Sequence, residues 1–98
     1  MRHVTILGAT GSIGLNTLDV NRRHPDRFRV YGLAANTRVE EMAGLCREFR
    51  PQRAVMADAA AAENLAQRLS DLPEITVLQG EAGLCEVAAA ESVDTVMA

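Results

Sequence analysis

Three glycines, Gly8, Gly11 and Gly14, stand in the run Gly8-Ala9-Thr10-Gly11-Ser12-Ile13-Gly14, directly after the short apolar stretch Val4-Thr5-Ile6-Leu7. A glycine turn that leaves a strand and opens a helix can hold phosphate. The free N–H groups at the helix start point outward, and the helix dipole favours an anion there. One glycine permits the tight turn, one lets the backbone approach a diphosphate, and one lets the helix pack closely on the strand. The candidate donors are the amides of Thr10, Gly11, Ser12 and Ile13, with the hydroxyls of Thr10 and Ser12 beside them. The spacing is GxxGxxG, one residue longer between the first two glycines than the common GxGxxG. A GxxxxGK[ST] loop is excluded, because Ile13 and Gly14 occupy the positions where it needs glycine and lysine. A glycine turn that serves packing alone is the alternative.

A second place where chemistry can sit is the end of the second apolar run, Leu33-Ala34-Ala35-Asn36-Thr37-Arg38. A dinucleotide with a free ribose 2′-hydroxyl usually meets a carboxylate there. This chain offers none, which removes the repulsion a 2′-phosphate would feel and points to NADP rather than NAD. Arg38 falls in the first turn of a helix, where the dipole disfavours a cation, so a bound phosphate would explain its placement. Asn36 and the Thr37 hydroxyl are neutral donors beside it, and a solvated surface arginine is the alternative. Asn16 and Asp19 fit solvated or helix-supporting positions, His3 and His24 have no partner at ligand or triad spacing, and Asp58 and Glu81 suit helix starts.

The elements that must position these residues alternate along the chain. Val4 to Leu7 reads as a strand and Ser12 to about His24 as a helix, with apolar spacing at Ile13, Thr17 and Val20 and at Gly14 and Leu18. Phe28 to Ala35 reads as the second strand. Thr37 and Glu40 have the form of a capping box for a helix running to about Arg50, whose inward stripe is Val39, Met42, Ala43, Cys46 and Phe49. Pro51 disfavours its continuation. Arg53 to Ala57 follows as a strand, then a helix capped by Asp58 with Ala62, Leu65, Ala66 and Leu69 on one face, a strand from Ile75 to Gln79, a helix from Gly80 to Ala90 with Leu84, Val87 and Ala88 inward, and a strand from Val93 to Met97. Short apolar strands separated by helices of ten or more residues predict a parallel sheet covered on both faces. The expected architecture is a three-layer α/β, Rossmann-like domain with strand order 3-2-1-4-5.

Ninety-eight residues with 48% hydrophobic and 23% charged content fit one folded domain. Ten basic against thirteen acidic residues, net −3 and interspersed, give no footprint for nucleic acid. The opening residues are far too short an apolar run for a signal sequence or a membrane span. Cys46 and Cys85 lack metal or redox spacing and suit a reduced, cytoplasmic setting as two small buried hydrophobes. Thr95-Val96-Met97-Ala98 reads as the middle or end of a strand, so residues 1–98 are expected to be the N-terminal domain of a longer protein, cut in its fifth strand; a small complete module is the alternative.

The runs Gly8 to Val20 and Arg23-His24-Pro25-Asp26-Arg27-Phe28-Arg29-Val30 closely resemble the start of the 1-deoxy-D-xylulose 5-phosphate reductoisomerase family. Phe49-Arg50-Pro51, Ala54-Val55-Met56, Gly80-Glu81-Ala82 and Val93-Asp94-Thr95-Val96-Met97-Ala98 are similar to it as well. The resemblance implies that Thr10, Gly11, Ser12 and Ile13 hold NADPH phosphates within a cofactor-binding turn that includes Gly8 and Gly14, and that the cofactor-binding turn after the second strand, Ala35, Asn36, Thr37 and Arg38, holds the adenosine 2′-phosphate end. At those last three positions the family often carries Gly-Lys-Asn or a similar set, and this chain departs from it. The resemblance further implies a full-length homodimer that rearranges 1-deoxy-D-xylulose 5-phosphate on a divalent cation, Mg²⁺ or Mn²⁺, and reduces the product with NADPH to 2-C-methyl-D-erythritol 4-phosphate. No catalytic or metal residue is assigned within residues 1–98, which are expected to show no turnover by themselves. Another NADPH reductase of the semialdehyde or acyl-phosphate type, a non-catalytic dinucleotide-binding module, and a purely structural α/β domain remain as alternatives.

Overall fold

The computed structural model describes residues 2–26, 28–90 and 93–97. Arg27 and Ala98, members of the runs quoted above, lie outside the described residues, as do the side chains of Ile13 and Met97. Strand and helix alternate as β1 (Arg2–Ile6), α1 (Ser12–Arg23), β2 (Phe28–Ala35), α2 (Val39–Phe49), β3 (Arg53–Met56), α3 (Ala59–Arg68), β4 (Thr76–Gln79), α4 (Gly80–Ala89) and β5 (Thr95–Met97). All recorded strand pairings are parallel, so each connection must cross a face of the sheet, and the crossovers bury it.

One face carries the main core. Val4 and Ile6 of β1, Leu33 and Ala35 of β2, and Ala54 and Met56 of β3 pack there with Leu18 of α1, Met42 and Cys46 of α2, and Leu65 of α3. The other face is covered by α4, where Val87 joins Ala34 and Val55, with Leu7, Leu78 and Leu84 packed around them. Strand residues therefore alternate between two apolar faces, which is why β2 reads as a continuous apolar run instead of an alternating one.

The strand order is 4-3-2-1-5. As expected, β3, β2 and β1 are neighbours and the chain then crosses to the far side of β1. The difference from 3-2-1-4-5 is that β4 adds outside β3, so the strand that crosses is the fifth. The physical cause is the packing of α3, which contacts α2, β3 and β4 and carries the chain one strand further outward. Only α4, lying across β4, β3 and β2 on the opposite face, brings it back.

Local expectations meet mixed outcomes. Asp58 caps α3, its Oδ2 accepting the Ala61 amide at 2.9 Å. The Thr37–Glu40 capping box does not form: the N-cap of α2 is Arg38, without a side-chain cap bond, and the Val39 amide donates to the Thr37 carbonyl. The helix starts one residue too late for the Thr37 hydroxyl to reach its amides. Cys46 is buried, but Cys85 is exposed, because α4 covers the sheet with Gly83 and Val87 and turns position 85 outward. Ala66, Ala88 and Val20 are likewise exposed; on short amphipathic helices one residue of a candidate stripe falls off the buried arc.

Surface ion pairs tie the helices together. Arg22 of α1 binds Glu48 of α2 through both Nε and Nη2 and lies over the Phe49 ring at 5.5 Å. Arg47 holds Asp71 through two bonds of 2.9 and 3.0 Å. Asn21, buried, donates to the Phe28 carbonyl at 2.6 Å and fixes the turn from α1 into β2.

Candidate functional site

The glycine turn lies at the carboxyl end of β1, at the point where the chain crosses between the two halves of the sheet, which is where open parallel sheets bind ligands. Gly8 adopts φ +66°, a left-handed conformation that a side chain would strain. The Ala9 amide donates to the Ala34 carbonyl at 2.8 Å, pinning the turn to the end of β2. Gly14 is held tightest: a Cβ there would stand 2.4 Å from the Gly8 carbonyl oxygen and 2.8 Å from the Ala9 Cα. The first turn of α1 thus rests directly on the backbone of the loop, and its axis is aimed by that contact.

The helix-start amides divide into used and free groups. The Gly11 amide donates to the Gly8 carbonyl at 2.9 Å, which removes it from the set of four candidate donors. Gly11 contributes instead by lacking a side chain, since a Cβ there would come within 3.3 Å of that same oxygen. The first bond of the α1 ladder runs from the Leu15 amide to the Gly11 carbonyl at 2.9 Å, so the amides of Ser12, Ile13 and Gly14 precede it. Among the described residues the Thr10 and Ser12 amides have no intrachain acceptor. Gly11 is the N-cap with no side-chain cap bond, and the first turn of α1 holds no acidic residue to offset the positive end of the helix.

Beside the turn opens a cleft of about 320 Å³, lined by Leu7, Gly8, Ala34, Ala35, Asn36, Ala57 and Leu84. Its wall is apolar except for Asn36, which suits a flat ring held between aliphatic side chains. Thr37 and Arg38 are exposed just beyond Asn36, and Arg38 has no ion-pair partner among the described residues. Arg22, Arg23, Arg47, Arg50 and Arg53 each face a carboxylate, whereas Arg2, Arg29 and Arg68, like Arg38, face none among the described residues. Glu40 and Glu41 in the first turn of α2 set a negative background beside Arg38. A larger cleft of about 410 Å³ lies over β4 between α3 and α4, but it presents Glu63 and Glu86 and so has the wrong sign for phosphate.

Structure thus brings Gly8, Thr10, Gly11, Ser12 and Gly14 together with Ala35 and Asn36 at one end of the sheet, with Thr37 and Arg38 on its rim. Sequence reading missed Leu7, Ala34, Ala57 and Leu84 as wall residues. Leu7 and Ala57 directly follow strands, and the rule that ligands lie outside carboxyl ends could have found them. Leu84 sits within a helix, and no sequence signal marks it. Among the described residues no group of three or more His, Cys, Asp or Glu side chains gathers as a metal site. Burial pushes the Cys46 thiol up to about 12, so it is an inert core group.

A parallel sheet crossed beside a glycine turn, with a tightly seated helix start and an apolar cleft at its side, is the arrangement found in dinucleotide-binding α/β domains. The family model for 1-deoxy-D-xylulose 5-phosphate reductoisomerase matches residues 4–98. A 1-deoxy-D-xylulose 5-phosphate reductoisomerase of Laribacter hongkongensis is 57% identical over 99% of this chain, and one of Methylobacillus flagellatus is 58% identical over all of it; in each case 25% of the relative's length is covered. A crystal structure of DOX-P reductoisomerase with NADPH, fosmidomycin and magnesium is similar at TM-score 0.92 and 38% identity, covering 98% of this chain and 24% of that one. The Zymomonas mobilis reductoisomerase in complex with NADPH is similar at TM-score 0.85 and 37% identity, covering 93% of this chain and 24% of that one. The chain belongs to the 1-deoxy-D-xylulose 5-phosphate reductoisomerase family. It spans about a quarter of the length of the curated relatives it matches.

Proposed function

We propose that this chain is the NADPH-binding part of an enzyme that isomerises and reduces 1-deoxy-D-xylulose 5-phosphate to 2-C-methyl-D-erythritol 4-phosphate, working in the cytoplasm as a homodimer with a divalent cation. The observation that carries the proposal is the seated, uncapped start of α1, where Gly14 packs on Gly8 and the Thr10 and Ser12 amides stay free. Those amides, with that of Ile13 and the two hydroxyls, grip the cofactor diphosphate. Ala35 and Asn36 border the adenosine half, and Arg38, unpaired and on the rim, faces the 2′-phosphate with the Thr37 hydroxyl beside it. Bound NADPH supplies the hydride for the reduction. The chain's own residues hold the cofactor in place and keep water from the apolar side of the cleft.

The relatives support this reading, since solved reductoisomerases of the same fold carry NADPH, and one of these also carries magnesium and fosmidomycin. No helix among the described residues is long and apolar enough to cross a membrane. The test is a titration of the full-length protein with NADPH and NADH, beside the Arg38→Ala variant. A charge-assisted bond to phosphate contributes about 1.5–3 kcal/mol, so the variant should lose roughly 10- to 100-fold in NADPH affinity and little for NADH. Equal losses for both cofactors would reject the role of Arg38, and no binding of NADPH by the unaltered protein would reject the function.

A further inference from the structure

Besides its apolar packing on the sheet, α4 makes one buried polar contact with β1. Thr5, the fourth of the five residues of β1, is fully buried, and its Oγ1 donates to the Val87 carbonyl at 2.8 Å. Val87 belongs to the last turn of α4, where helix carbonyls have no donor within the helix, so the hydroxyl from β1 serves as the cap. Directly beneath, Gly32 of β2 leaves room for this contact: a Cβ there would stand 3.2 Å from Thr5 Oγ1 and 3.3 Å from Val87 Cβ. A register irregularity between Val4 and Thr5 sets Thr5 opposite Gly32, so that hydroxyl, glycine and helix end meet at one spot.

Three residues before Val87, on the same side of α4, is Leu84, which lines the cleft beside the glycine turn. The helix that forms one wall of that cleft is therefore held from its far end by Thr5. We propose that Thr5, with Gly32, is a positioning residue for the cofactor: by latching the end of α4 it sets how close Leu84 stands to the cofactor in the cleft. The proposal rests on the cleft being the NADPH site. Thr5 touches no part of the cleft itself and acts through α4.

A core threonine satisfied by the nearest carbonyl would influence stability alone. What separates the two roles is coupling to Leu84. In the full-length protein, Thr5→Val keeps the side-chain shape and removes the donor, Thr5→Ser keeps the donor, and Leu84→Ala removes the wall contact. NADPH dissociation constants are measured by fluorescence titration for the unaltered protein, the single variants and the Thr5→Val/Leu84→Ala pair. The expected result is a fivefold or greater weakening for Thr5→Val, near-recovery in Thr5→Ser, and little further loss from Thr5→Val once Leu84 is alanine. At saturating NADPH, kcat should stay near that of the unaltered enzyme while KM for NADPH rises. If Thr5→Val does not yield folded protein, Gly32→Ala probes the same contact from beneath and should give the same coupling to Leu84→Ala. Unchanged NADPH affinity in the variant, or losses that simply multiply in the double variant, overturns the latch while leaving the cofactor site standing. Failure of the unaltered protein to bind NADPH overturns both.

Discussion

Replacing Gly14 with alanine places a methyl carbon 2.4 Å from the Gly8 carbonyl oxygen, 2.8 Å from the Ala9 Cα and 2.9 Å from the Ala9 oxygen. All three are backbone atoms, so no side chain can swing aside. Ordinary contact begins near 3.4 Å, and the start of α1 must therefore move outward by about 1 Å. Two effects on stability oppose each other. Alanine is a better helix former by about 0.8–1 kcal/mol, whereas overpacking against a rigid backbone costs about 1–3 kcal/mol. The net loss of stability is thus modest, at most about 2 kcal/mol. Cofactor binding suffers more, because the shift displaces the free amides of Thr10 and Ser12 together, and each charge-assisted bond to phosphate is worth about 1.5–3 kcal/mol. A loss of about 100-fold in NADPH affinity is expected. Gly44→Ala is the matched control: that glycine is exposed on α2 with nothing within 4 Å of the built Cβ, so it should raise stability by up to about 1 kcal/mol and leave NADPH binding alone. Thermal melts and fluorescence titration of both variants in the full-length protein decide the matter. A Gly14→Ala protein that binds NADPH as tightly as the unaltered one would falsify the account of how the helix is seated.

Other outcomes follow from the same structure. Asp58→Ala removes the oxygen that accepts the Ala61 amide and should cost about 1 kcal/mol in denaturant unfolding, while Thr37→Ala, whose hydroxyl caps nothing, should cost far less. Alkylation of the native protein should label the exposed Cys85 and spare Cys46, whose thiol burial pushes up to about 12, until denaturant is added; early label on Cys46 would contradict its burial. Hydrogen bonds from Arg22 and Arg47 hold the carboxyls of Glu48 and Asp71 below their usual range. Their folded values are depressed, so the stability they add is present above about pH 4–5 and is lost as pH falls through the folded values. The denaturation midpoint should then drop on acidification to about pH 3, by less in a Glu48→Gln/Asp71→Asn variant. Both pairs are exposed, so salt should shrink the difference.

Much of this protein was legible without coordinates because its signals are local. Phe28–Ala35 is bounded as a strand by its own composition, Pro51 follows the end of α2, and Asp58 announces α3 through a bond made within four residues. The glycine run, too, states its backbone demands in sequence, since Gly8 with φ +66° and Gly14 against Gly8 are constraints that only glycine meets. The family was carried by residues that stand close together in the chain.

What only the tertiary structure decided depends on packing between distant segments. The sequence contains no term that tells β4 to join outside β3 instead of beyond β1; α3 resting on α2 settles it. Nor could it tell that the Gly11 amide turns inward to Gly8, that Arg38 displaces Thr37 as the cap of α2, or that Cys85 faces out. Leu84 reaches the cleft, and Thr5 reaches Val87 across 82 positions, only because α4 lies over the face opposite the other three helices. Residue types and short spacings fix turns, caps and the glycine cradle, because those energies act over a few residues. The choice among faces, edges and neighbours is a competition between burial surfaces far apart in the chain, and it is settled only when the elements pack.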